Sequence, residues 1–269
     1  MTFDPPVVVG GLGGSGTRVV ARLLEEIGFF IGSDLNESLD NLWFTVLFKR
    51  PAWYERPSTR QRRAEAAVGP FVGKMTSGRR LTPRELGTVG WAIASVLVRG
   101  HDHLGTGRGL RWPAGRAASL LAARGHDPAG YVGWGWKEPN SHILIAELAA
   151  AIPGMRFIHV VRAGDQVAAG RNQTQRMIWS RHLGLAPAAD LAADPQAAVS
   201  FWALANERTV RLGELLLGER FFVVDVNLLC AKPEAELARL LAFLGLTVDP
   251  ATWERLVAIP DPAALERSG

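Results

Sequence analysis

The chain has 269 residues, 48% hydrophobic and 21% charged, an ordinary globular composition with length enough for a full core. A formal charge of +4 and a pI near 9.7 suit an anionic ligand, but the basic residues are dispersed and no zinc-finger or RNA-recognition signature accompanies them, which speaks against a nucleic-acid partner. Mean hydropathy is +0.07 with no run near the roughly 20 apolar residues of a membrane span, Met1–Pro6 lacks the basic region of a signal peptide, and Cys230 stands alone, so a cytoplasmic protein without disulfides is expected.

Pro5-Pro6 followed by Val7-Val8-Val9 reads as a buried strand of a parallel sheet, ended by glycine. After the small-residue segment Gly10 to Arg18, Val19, Val20, Leu23, Leu24 and Ile27 recur at helical spacing until Gly28 closes the helix. Aromatic residues crowd Phe29 to Tyr54, set among Asn36, Glu37, Asp40 and Asn41. Thr82-Pro83-Arg84-Glu85 is a capping box with proline at the first helical position, predicting a helix to about Val98. Glycines and His101-Asp102-His103 mark a loop from Gly100 to Gly109, and an alanine-rich helix follows from Pro113 to Arg124. Tyr131 to Asn140 is a short extended segment whose Asn140 is placed to cap a helix through Ala151.

Phe157 to Val161 is another buried strand, with Arg162 at its C-terminal end and a helix starting near Asp165. A polar stretch from Ala186 to Asp194 leads to a helix from about Ala197 to Leu217 and a strand from Phe221 to Val226. Helices from Pro233 to Leu244, stopped by Gly245, and near Thr252 to Val257 complete the chain. Strands separated by helices imply right-handed parallel crossovers, hence an α/β sheet with helices on both faces and a binding site at the C-terminal strand ends. Residues 1–269 read as one domain, with a helical, aromatic-rich region at about 36–130.

Two segments carry chemistry. A glycine loop leaving a buried strand and entering a helix brings backbone N–H groups and the positive end of the helix dipole to one point, an anion site. Here Gly13, Gly14 and Gly16 let the backbone approach the anion, Ser15 and Thr17 add hydroxyls, and Arg18 adds a charged donor. The loop nearly spells a nucleotide-binding P-loop, but that motif needs lysine then Ser or Thr after its last glycine, and Thr17-Arg18 stand there instead. The second segment is Trp134-Gly135-Trp136-Lys137-Glu138-Pro139. Lys137 stands out, because arginine is the usual cation and the lysines are only Lys49, Lys74, Lys137 and Lys232.

Gly14-Ser15-Gly16-Thr17-Arg18 resembles the phosphosulfate loop of sulfotransferases that use 3′-phosphoadenosine 5′-phosphosulfate (PAPS), where a basic residue and then Ser-Gly-Thr cradle the 5′-phosphosulfate. Gly14 replaces that basic residue, and Arg18 is placed to supply its charge from the other side. The tryptophan-lysine segment is similar to the Lys-acidic-Pro segment of Golgi-type and bacterial members, which makes Lys137 the implied catalytic cation on the sulfuryl oxygens. Phe157 to Arg162 resembles the family's 3′-phosphate segment. Arg162 matches its arginine, but its serine falls on Gly170, leaving Arg171, Asn172 or Thr174 to take over. Phe221 to Leu246 looks like the late strand and helix, with the usual Tyr-Glu-Asp replaced by Val226-Asn227-Leu228.

The resemblance implies a P-loop-like parallel-sheet sulfotransferase fold, PAPS as co-substrate with adenosine 3′,5′-bisphosphate (PAP) as product, and no metal. For the general base it points to Glu37, with Asp40 behind it, while His101, His103 and His142 compete. His101-Asp102-His103 lacks a third nearby ligand for a metal. The sulfuryl group would pass to a hydroxyl or amine, and the aromatic region would wall the acceptor pocket, with a small molecule, saccharide, phenolic metabolite, lipid or peptide all open and the oligomeric state undetermined. A P-loop-type small-molecule kinase or NTPase, and a non-catalytic nucleotide-binding protein of the same fold, are the competing readings.

Overall fold

The structure, a computed structural model, describes residues 4–100, 109, 111–169, 173–185 and 195–261. Five strands, β1 (Val7–Gly11), β2 (Phe29–Phe30), β3 (Gly133–Lys137), β4 (Arg156–Val161) and β5 (Phe221–Asp225), form one parallel sheet in the order β2-β3-β1-β4-β5. The register sets Val9 opposite Lys137 and Gly11 opposite Val160, so the ends of β1, β3 and β4 meet at one edge. There β1 has its sequence successors on opposite sides, the switch point at which such sheets bind ligands.

Period-two alternation divides the core between the two faces. Val8, Trp134, Trp136 and Phe157 join one apolar cluster, whereas Val7, Val9, Ile158, Val160 and Val224 join the other. Glycine alternates with tryptophan in β3 because a Cβ on Gly135 would lie 1.8 Å from the Val7 carbonyl oxygen and one on Gly133 2.6 Å from the Phe29 ring. The second face is covered by helix Thr17–Ile27, through Val20, Leu23, Leu24 and Ile27, and by helix Pro233–Leu244.

Between β2 and β3 the chain makes one helical excursion comprising Leu42–Phe48, Pro51–Tyr54, Pro57–Met75, Pro83–Arg99 and Arg111–Ala122. Most of its aromatic residues are core: Trp43, Phe44, Phe48, Trp53, Tyr54 and Phe71 are buried in the first cluster. The Thr82 capping box forms with both its bonds. Other expectations shift. Asn140 caps no α-helix: Pro139–Leu144 is a 3-10 segment ahead of helix Ile145–Ala151, and the Glu138 carboxylate is its N-cap. The last strand stops at Asp225, whose carboxylate accepts from Asn227 and Leu228 N–H to start the short helix Val226–Ala231.

Candidate active site

The loop from Leu12 to Gly16 turns through a Ser15 N–H to Leu12 carbonyl bond of 3.0 Å, with Gly14 and Gly16 at φ of 85° and 88°. Helix Thr17–Ile27 begins at Gly16 with no side-chain cap and no acidic residue in its first turn, so its leading N–H groups have no internal anion. Ser15 is 1% exposed, and its hydroxyl has no partner among the described residues. A buried hydroxyl without a partner is costly unless a ligand supplies one. Thr17 is buried beside it and Arg18 half-buried on the first turn. At Gly14 an added Cβ would meet nothing within 4 Å, so the loop is open where a ligand would approach.

Helix Thr174–Trp179 braces this loop. The Gly13 N–H donates to Gln175 Oε1 at 3.0 Å, and Gln175 Nε2 donates to the Gly11 carbonyl at 3.2 Å. Arg162, just beyond β4, donates from Nη1 to the Gly14 carbonyl at 3.3 Å and from Nε to Gln166 Oε1 at 2.8 Å. Asn227 supports it, donating to the same Gln166 oxygen at 3.0 Å and accepting from the Ala163 N–H at 3.2 Å.

At the end of β3, Lys137 is 2% exposed. Its ammonium donates to the Ser38 carbonyl at 2.8 Å and forms an ion pair with Asp40. Glu138 is also buried, each carboxylate oxygen accepting from Asn140: one from N–H at 2.7 Å, one from Nδ2 at 2.8 Å. Trp179 Nε1 fixes Asn140 in turn through a 2.8 Å bond to Oδ1. Burial, and then the Asp40 charge, push the Glu138 carboxyl up to about 7, against the opposing pull of Lys49, the Asn140 bond and Lys137. A cavity of about 450 Å³ lies between these parts, lined by Gly13 and Gln175 on the loop side and by Asp40, Lys49, Trp112 and Glu138 opposite.

The structure therefore joins Arg162 to the glycine loop and Lys137 to Asp40, and Gly13 of the loop and Asp40 line the same cavity. It does not bring Glu37 or His142 into the cavity. Glu37 is exposed on a turn organised by Asn36, whose Oδ1 accepts from the Ser38 and Asp40 N–H groups. His142 is fully buried behind β1, bonded to the Pro139 carbonyl at 2.7 Å and packed on His159, and burial with the His159 charge draws it down to about 3. Arg171, Gly170, Asn172, His101, Asp102 and His103 lie outside the described residues, while Thr174 lines the cavity. Among the described residues no group of His, Cys, Asp and Glu is placed to hold a metal ion.

Sequence reasoning missed Glu138, Lys49 and Gln175. Lysine scarcity could have found Lys49, and adjacency to Lys137 could have found Glu138. Gln175 carries no sequence signal, since its contact spans 162 residues.

The family model for the sulfotransferase family matches residues 5–250. No curated protein matches the sequence. Among solved structures, sulfotransferase STF9 from Mycobacterium avium is similar at 15% identity, over 95% of this chain and 67% of that one, with TM-score 0.48. Sulfotransferase STF1 from Mycobacterium tuberculosis H37Rv follows at 16%, 99%, 76% and 0.48, and the sulfotransferase domain of the Synechococcus PCC 7002 olefin synthase at 16%, 98%, 84% and 0.45. Since the family model takes in the loop, Lys137, Arg162 and the sheet that aligns them, the chain belongs to the sulfotransferase family.

Proposed function

We propose that the protein moves the sulfuryl group of PAPS to a hydroxyl of a hydrophilic acceptor. The observation that carries this reading is the buried Lys137 ammonium, ion-paired to the cavity residue Asp40, at the strand end next to β1 and its uncapped glycine loop, whose Ser15 hydroxyl lacks a partner among the described residues. The residues fit the donor: the Gly14, Gly16 and Thr17 amides with the Ser15 and Thr17 hydroxyls would hold its 5′ end, and Arg162 its 3′-phosphate. Bound there, PAPS supplies a sulfur already joined to a good leaving group.

The acceptor oxygen forms the new O–S bond as the bond from sulfur to the 5′-phosphate oxygen breaks. The phosphate keeps that electron pair, and the acceptor proton passes to a cavity carboxylate. Glu138, held near neutrality, is the better matched base, while the Asp40 carboxylate holds Lys137 in place. Lys137 meets the charge that builds on the sulfuryl and leaving oxygens. The side chains opposite the loop are mostly polar, which supports a hydrophilic acceptor over a lipid.

Calorimetric titration with PAP, PAPS and ATP tests the reading. PAP should bind and raise the melting temperature, and Arg162→Ala should remove most of that rise. Tighter binding of ATP than of PAP, or turnover abolished by EDTA, would move the protein to the kinase class.

A further inference from the structure

We infer that Gln175 is a positioning residue that holds the glycine loop in its anion-binding form, and that helix Thr174–Trp179 is the strut joining this loop to Glu138. The inference rests on the sulfuryl-transfer reading, which it deepens. Gln175 is 6% exposed, and its carboxamide meets the loop as a neighbouring peptide would, accepting from the Gly13 N–H and donating to the Gly11 carbonyl. The Gly13 N–H lies beyond the last ladder pair of β1, Gly11 with Val160, so without Gln175 it would have no acceptor among the described residues.

The consequence is a division of the loop's donors. Gly13 and Ser15 direct their N–H groups inward, to Gln175 and Leu12, which leaves the amides of Gly14, Gly16 and Thr17 for an anion. Were the brace lost, Gly13 and Gly14 would be free to rotate and the cradle would have to be reassembled at each binding event. Four residues along the same helix, Trp179 donates to Asn140, which donates to Glu138, so one short element fixes the donor cradle and the cavity carboxylate relative to each other. Neither Gln175 nor Trp179 needs to touch the reacting atoms to do this.

The experiment measures PAP affinity of the full chain carrying Gln175→Leu or Gln175→Glu at pH 7.5 and 5.5. Leucine keeps the bulk and loses both bonds, and should weaken PAP about tenfold while leaving the acceptor KM within about twofold. Glutamate still accepts from Gly13 but cannot donate to Gly11 and puts a negative charge beside the bound anion. Its affinity should fall further at pH 7.5 and recover toward wild type at pH 5.5 as the carboxyl is protonated. A role confined to fold stability would lower the melting temperature of the free protein without that pH-dependent recovery. Wild-type affinity in Gln175→Leu, or a Gln175→Glu deficit that is the same at both pH values, overturns the inference. Wild-type protein that binds neither PAP nor PAPS overturns instead the sulfuryl-transfer reading beneath it.

Discussion

Lys137 has three ammonium protons, and two are already directed at the Ser38 carbonyl and the Asp40 carboxylate. A group so held is oriented before the donor arrives, which suits a cation whose task is in the transition state. Lys137→Met keeps most of the bulk, so PAP affinity should stay within a few-fold while turnover drops about a hundredfold, measured by sulfuryl transfer. Unchanged turnover would remove it from the chemistry. The base assignment gives a pH signature: with the Glu138 carboxyl at about 7, kcat/KM should fall about tenfold per pH unit below that point. Glu138→Gln should lose that limb together with about a hundredfold of activity, whereas the exposed Glu37→Gln should be near wild type; the reverse pattern would restore Glu37 as the base. The loop and Lys137 were legible from sequence because glycine and lysine are conspicuous where they stand. Glu138 was hidden, since a carboxylate acquires an unusual proton affinity only from its surroundings.

The two long helices of the excursion show what makes an element readable. Helix Pro83–Arg99 announces itself through Thr82 and Glu85, a local code confined to four residues. Thr82→Ala should cost about 1 kcal/mol in urea unfolding and leave PAP affinity unaltered. A cost indistinguishable from zero would mean that the Arg79–Glu85 ion pair alone holds that end. Helix Pro57–Met75 buries Ala64, Ala67, Val68, Phe71 and Met75 at helical spacing, yet it was not anticipated. Two of those five are alanines, a weak hydrophobic signal, and Gly69, Pro70 and Gly73 are residues that ordinarily interrupt helices. Packing against helix Ile145–Ala151, distant in sequence, outweighs those local preferences.

At the scale of the molecule, three histidines among the described residues are held neutral: His142 and His182 are drawn to about 3 and His159 to about 4, each chiefly by burial. Their folded values lie below the ordinary 6.5, so the unfolded chain binds the extra protons as pH falls. The stability they contribute is complete above about 6.5 and drains away toward pH 4 to 3. Glu138 works the other way, since its raised value lets the folded chain take up a proton first. The balance is a loss of about 2 kcal/mol between pH 7.5 and 5.5. Urea midpoints at the two pH values check this, and equal midpoints would mean that the histidines are solvated.

The excursion between β2 and β3 is fastened at both ends to the sheet edge. Asn41 binds the Lys137 carbonyl through its N–H at 2.8 Å while its side chain bonds the Ile31 carbonyl and caps the next helix. At the far end the Val132 N–H bonds the Gly28 carbonyl at 3.1 Å. The described segments between Leu42 and Asp127 are thus held between two fixed points, with the Lys137 backbone carbonyl serving as one of them. Because the entry point carries Asp40 and Asn41 into register with Lys137, a change at Asn41 would be felt at the lysine as well as in the helix that Asn41 caps.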